Sequence, residues 1–111
     1  METTHYVIEN LPSRELVPGI RLRAVHLDKL TVTFVELDSG ARLPQHSHPH
    51  EQISYIARGT LRLTVDGKPY DVAAGQALTI PGGVPHSGEV IEGPVFAVDS
   101  FSPKRQDYVF K

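Results

Sequence analysis

Three histidines, His46, His48 and His50, fall within five residues, and the stretch that holds them runs from Gly40 to Gly59. Imidazole carries two ring nitrogens that each need a partner when buried, so packing alone is a poor reason for such a cluster ahead of an apolar run. In an extended chain alternate side chains share a face, which aims His46 and His48 at one point. Gln52 opens the next apolar segment and can bring an amide oxygen to that point once Pro49 has turned the chain. Further on, Pro81-Gly82-Gly83-Val84-Pro85-His86 presents another imidazole from a rigid turn. Three imidazoles and one neutral oxygen suit a transition metal, Zn, Fe, Ni, Mn or Cu, rather than Ca or Mg. A lone histidine is ordinarily a solvated surface residue, and that reading holds for His5 and His26. The i, i+2 spacing, the flanking glycines and the Pro-Gly frame around His86 speak against it for the cluster.

These residues resemble the two motifs of the cupins. Gly40, His46, His48 and Gly59 stand at the spacing of the first motif, and Gly75, Pro81 and His86 at that of the second. The resemblance implies a small double-stranded β-helix (jelly-roll) barrel and one divalent metal, Zn, Ni, Fe or Mn, held by His46, His48, Gln52 and His86. The family's glutamate falls here on Gln52, with Glu51 one residue early, and strand parity sends Glu51 to the opposite face. A neutral glutamine leaves the double charge of the ion uncancelled, which tilts the site towards Lewis-acid rather than redox work.

A second group of residues lies near the C-terminus. Asp99 and Phe101 share a face at i, i+2, and Arg105 follows just past Pro103. If Val95 and Ala97 point into a barrel, parity sends Asp99 and Phe101 there too. An inward carboxylate costs several kcal/mol unless it is paired, coordinated or used, so Asp99 is either an acid/base group or the ion-pair partner of Arg105. The run Asp99-Ser-Phe-Ser-Pro-Lys-Arg105, taken with the metal motif, resembles the small cupins of uronate catabolism, the pectin-degradation (KdgF) group. That resemblance implies conversion of 4,5-unsaturated uronate monosaccharides, released from pectin or alginate, to linear keto acids. The metal would polarise substrate oxygens, Asp99 would move protons, Arg105 would pair with the substrate carboxylate, and Phe101 would shape the pocket. His50 and Tyr55 are further polar groups for such a pocket, with structural roles as the alternative, whereas Arg42 and Arg58 read as surface charges. The same ligands would also serve a metal-dependent dioxygenase, an isomerase or cyclase on another small molecule, or a non-catalytic sugar- or metabolite-binding cupin, because a fold does not fix a function.

Strands must position all of these groups. Ile20, Leu22 and Ala24 alternate with Arg21, Arg23 and Val25, the run from Leu30 to Leu37 is rich in Val, Thr and Phe, and Leu61, Leu63 and Val65 alternate with Thr60, Arg62 and Thr64. Asp66-Gly67 is a type I′ hairpin signal leading to Pro69–Val72, Ala77 to Ile80 makes a short strand, and Val95 to Phe101 a final one. Tyr6-Val7-Ile8 reads as an edge strand or an arm exchanged between two copies. No helical period holds over about ten residues, so the pattern predicts an all-β sandwich or barrel. A chain of 111 residues fits one domain over 1–111, with a barrel core about 20–101 and an N-terminal arm 1–19. The absence of cysteine excludes disulfides and thiolate ligands. A net charge of −2 and a pI near 6.3 show no basic excess for nucleic acid or an anionic membrane. No run approaches the roughly 18 apolar residues of a membrane span, and the N-terminus lacks a signal-peptide pattern. The expectation is a cytoplasmic protein that acts on a small anionic sugar, without nucleic-acid or membrane partners, and pairs with a second copy through its sheet edges.

Overall fold

In the computed structural model, which describes residues 2–110, the chain forms eight strands. They are β1 (Arg14–Val17), β2 (Ile20–His26), β3 (Thr31–Leu37), β4 (Arg42–His46), β5 (Glu51–Val65), β6 (Lys68–Ala73), β7 (Ala77–Ile80) and β8 (His86–Ser102). All pairings are antiparallel, in the order β1-β2-β3-β8-β5-β6, with β4 added to β8 and β7 to β5. Helical turns among the described residues are confined to two short 3₁₀ pieces, Ile8–Asn10 and Gln106–Tyr108. This is the all-β architecture that the alternation of the sequence predicts. Among the described residues no helix is long and apolar enough to cross a membrane.

The alternation of the sequence becomes the inside and outside of this barrel. Ile20 and Leu22 on β2 are buried while Arg21 and Arg23, which alternate with them, are not, and on β3 Thr31, Thr33, Val35 and Leu37 all face inward. Ile20, Leu22, Val35 and Leu37 form one core cluster with Ile56, Leu61, Leu63, Val72, Val95 and Ala97. Each fully buried aliphatic side chain contributes roughly 1.5–3 kcal/mol.

β5 and β8, at 15 and 17 residues, are the long strands that carry the topology. The later half of β8 lies between β3 and the start of β5, and its first half lies between β4 and the end of β5. Both strands must therefore bend midway. Gly59 makes the bend possible on β5, with φ +80° and so little space that a Cβ would stand 2.5 Å from the Glu92 carbonyl oxygen and 2.6 Å from that of Pro94. A strand only over Val95–Phe101 was expected from the sequence, but β8 begins at His86. The Glu92-Gly93-Pro94 run is the exposed bend inside one continuous strand. Asp66 and Gly67, at φ +50° and +79°, close the β5–β6 hairpin as their sequence predicts.

The N-terminal expectation needs correction. Tyr6-Val7-Ile8 forms no strand; Tyr6 and Val7 are exposed and the chain then enters the 3₁₀ turn. The edge strand is Arg14–Val17, folded back onto β2 of its own chain through the turn at Gly19. A hairpin partner two residues away keeps the loop that closes this pairing short, which lowers its entropic cost.

Candidate metal centre

Strand pairing brings the first two imidazoles together. His46 ends β4 and stands in register with His86, the first residue of β8, which leaves their ring centroids 4.3 Å apart. His48 arrives differently from the strand-parity expectation, because β4 stops at His46 and His48 lies in the loop beyond it. The loop is pinned by the Gly83 amide, which donates to the His48 carbonyl at 2.8 Å, and it turns the ring inward to 4.9 Å from His86 and 5.9 Å from His46. One nitrogen from each of the three rings lies within 4.8 Å of the others, a position suited to hold a metal ion.

The hydrogen bonds set which nitrogen faces that point. Nδ1 of His46 donates to the Pro44 carbonyl at 2.9 Å, Nδ1 of His48 to that of His50 at 3.1 Å, and Nδ1 of His86 to that of Val84 at 2.9 Å. Each ring thus spends its proton on a backbone oxygen two residues away, the outer-sphere arrangement that orients metal-binding imidazoles. Nε2 is left as a bare lone pair. That of His86 is sealed from solvent and has no partner at all. Burial pushes the pKa of His48 down to about 4, helped by the nearby charges of Arg105 and His86, and burial also lowers that of His86. Both rings are therefore neutral near pH 7, the state that metal binding requires.

Gln52, 8 % exposed, completes the donor set. Its Nε2 donates to Ser54 Oγ at 2.9 Å, which turns Oε1 towards His48 Nε2 at 3.1 Å. With His48 protonated on Nδ1, these two atoms are both acceptors and repel unless a cation sits between them. Metal–nitrogen and metal–oxygen bonds of about 2.0–2.2 Å place neighbouring ligand atoms roughly this far apart. The residues present fit a divalent transition metal. Glu51 is exposed on the other side of β5, as parity requires.

The same cavity is lined by Asp99, Phe101 and Arg105, with Leu22, Val35 and Leu61 of the core closing it off. Asp99 stands opposite Thr33 of β3 and Ser54 of β5. Its Oδ1 is sealed from solvent and unpartnered, and burial raises its pKa to about 6, against a partial pull downward from the Ser54 hydroxyl. An Asp99–Arg105 ion pair, the alternative open from sequence, does not form. Arg105 instead forks onto Asp107, Nε to Oδ1 at 3.0 Å and Nη2 to Oδ2 at 2.7 Å. Its guanidinium carbon lies 4.1 Å from the Tyr108 ring centroid and 4.9 Å from that of Phe101. Phe101 also packs edge-on to His48, centroids 5.6 Å apart.

Two further polar groups divide. Tyr55 is 44 % exposed on the outer face of β5 and takes no part in the cavity. His50 stays beside the cluster, its ring 5.5 Å from His48 and its Nδ1 buried without a partner, but it does not line the cavity. Arg42 is a surface group, 3.8 Å from Glu89. Asp107 and Tyr108 are site residues that sequence reasoning missed. Their only signal is closeness to Arg105, and the 3₁₀ turn that folds them back onto it has no periodic signature.

Residues 33–99 match the Cupin domain family model. The chain is 28% identical over 107 residues to the pectin degradation protein KdgF of Dickeya dadantii (strain 3937), which covers 95% of this chain and 97% of that protein. The structure of KdgF from Halomonas sp. superposes with a TM-score of 0.90 at 25% identity, covering 97% of this chain and 100% of the other. An RmlC-like cupin from Shewanella frigidimarina gives a TM-score of 0.86 at 28% identity, covering 96% and 97%.

Proposed function

The chain belongs to the cupin domain family, and from that premise we propose that it is a metal-dependent enzyme converting 4,5-unsaturated uronate monosaccharides to linear keto acids. The observation that carries this reading is one small cavity in which a histidine triad with inward lone pairs adjoins a buried, unpartnered carboxyl and an arginine. Its likeness along nearly the whole chain to proteins named for pectin degradation supports the choice of substrate.

His46, His48, Gln52 and His86 would hold the metal, which when bound supplies Lewis acidity towards substrate oxygens. Arg105 receives the uronate carboxylate, for which its planar fork is suited. Opening of the unsaturated ring leaves an enol at C5. Its conversion to the ketone adds a proton at C4 and removes one from the enol oxygen, so the step is an isomerisation with no net gain or loss of atoms. Asp99, with a pKa near neutrality, is the group on this wall that can both give and take that proton. Phe101, between His48 and Arg105, keeps the sugar against the polar groups and water away from them. Incubating metal-loaded protein with unsaturated galacturonate should bleach the absorbance of the conjugated enol acid without oxygen. Unchanged absorbance, or turnover only with oxygen, would refute this reading.

We also propose that the protein works as a homodimer. The register aligns Phe34, Val98 and Tyr55 in one row across the outer face of β3, β8 and β5, and Val32, Ser100 and Ile53 in the next. Ile53 and Tyr55 are about half exposed, and a second copy covering them would remove an apolar patch from water. Light scattering at micromolar concentration should return the dimer mass; a monomer mass would refute it.

A further inference from the structure

A guanidinium has two edges that can each grip a carboxylate, Nε with Nη2 and Nη1 with Nη2. Asp107 fills the first edge of Arg105 through both of its oxygens. Tyr108 and Phe101 pack against the group, with ring centroids 4.1 Å and 4.9 Å from its carbon and 6.0 Å from each other, so they flank it on adjacent sides. The second edge, Nη1 with the remaining Nη2 hydrogen, is bonded to no protein carboxylate or carbonyl among the described residues, Nη1 is not among the atoms sealed without a partner, and the uncharged Tyr108 hydroxyl is the other polar side-chain group beside the guanidinium. The Arg105 side chain is 9 % exposed and that of Asp107 is 55 % exposed, so the pair runs from the cavity wall outward to solvent.

The turn that carries the pair is itself tied down. The Arg105 amide donates to Thr31 Oγ1 at 2.9 Å, and the same oxygen meets His26 Nδ1 at 2.8 Å. The other nitrogen of His26 reaches the Tyr108 carbonyl at 3.2 Å, and Arg14 Nη1 donates to the Asp107 carbonyl at 3.1 Å. β1, β2 and β3 therefore all anchor the segment from which Asp107 acts.

We propose that Asp107 is a positioning residue: by occupying the Nε–Nη2 edge it leaves Arg105 a receptor with one open edge, which takes a ligand carboxylate end-on at Nη1 and Nη2. This rests on the reading that Arg105 receives the uronate carboxylate. The opposite role for the same contact is internal competition, in which Asp107 weakens ligand binding by neutralising the arginine. The two roles have opposite signs. If Asp107 orients, removing it frees the guanidinium to rotate out of register and weakens carboxylate binding; if it competes, removing it strengthens binding.

Steady-state kinetics on metal-loaded wild type, Asp107→Ala, Asp107→Asn and Asp107→Glu, with unsaturated galacturonate, separate them. Loss of the clamp should raise KM roughly 5- to 20-fold in the Ala and Asn variants, part of what a whole charge-assisted contact is worth. kcat should stay within about twofold, as for an interaction shared by ground and transition states, and Asp107→Glu should recover part of the loss. Calorimetry with D-galacturonate and uncharged D-galactose gives a readout independent of turnover. Galacturonate should weaken in Asp107→Ala by a similar factor while galactose is unaffected. A lower KM, tighter galacturonate, or a drop in melting temperature with KM unchanged would overturn the proposal. If wild type fails to turn over unsaturated uronate but binds galacturonate in an Asp107-dependent way, the substrate reading fails and the positioning role stands. If turnover is normal and KM ignores Asp107, the positioning role falls alone.

Discussion

The two sides of the cavity hold buried polar groups by opposite means. On the histidine side Nδ1 of His46, His48 and His86 is each bound to a backbone carbonyl, and Nε2 of His86 is left buried without a partner. On the C-terminal side Asp107 holds one edge of Arg105 and Phe101 and Tyr108 pack against it, and the buried atom left unpartnered is Oδ1 of Asp99. Buried polar atoms are nearly always bonded in folded proteins, so an orphan surrounded by satisfied neighbours marks where a ligand belongs. Bare nitrogens ask for a cation, and a carboxyl with a raised pKa asks for a proton to exchange. On the proposed function the difference between the sides would be a division of labour between holding an ion and moving a proton.

Asp99→Asn breaks the comparison most severely. The amide has nearly the shape of the acid but cannot take up a proton, so kcat should fall by roughly 10²-fold or more with KM little changed. The same variant has a signature in stability. Protonated Asp99 is the form that burial favours, so its contribution in metal-free protein is fully present below the unfolded pKa of 3.8 and is lost as pH rises through about 6. At about 1.4 kcal/mol per pKa unit that loss amounts to roughly 3 kcal/mol. Asp99→Asn should lack this decline, gaining on wild type between pH 4 and pH 7 in denaturant melts. Parallel pH profiles for the two proteins would show that the carboxyl is already ionised at low pH.

Arg105→Ala comes next. Loss of a contact made in ground and transition states alike should raise KM by roughly 30- to 100-fold, the equivalent of about 2–3 kcal/mol of charge-assisted bonding. A fall in kcat at constant KM would instead move Arg105 into the chemistry and blur the two sides. The smallest effect is expected where they touch. Ser54 accepts from the Gln52 amide and sits across from Asp99, so Ser54→Ala should free the glutamine to turn and lower metal affinity about tenfold, as outer-sphere changes do. Unaltered metal affinity by competitive chelator titration would show that Gln52 needs no such support.

Much of this arrangement is legible in the residues because strand parity is a local rule. Val95 and Ala97 are 2 % exposed and lead Asp99 and Phe101 onto the cavity side as their spacing predicts, and Gln52 rather than Glu51 turns inward. What was not legible depends on distant partners or on the path of the chain outside strands. His48 is placed by a loop pinned to Gly83, not by β4. The partner of Arg105 is decided by a turn after Pro103 that brings Asp107 back within 2.7 Å, and no alternation pattern encodes that. The continuity of β8 was hidden by Gly93 and Pro94, which mark an interruption by local rules but here serve a bend matched to Gly59 across the sheet.

On the proposed function, four side chains from three strands and a loop form one metal centre on which the activity depends. Metal content of the purified protein and of His48→Ala, measured beside turnover of unsaturated galacturonate on the same samples, tests it most directly. About one equivalent of a divalent transition metal in wild type, with loss of both metal and turnover in the variant, is the predicted result. A variant that keeps its metal, or that loses the metal and still converts the uronate at the wild-type rate, would contradict it.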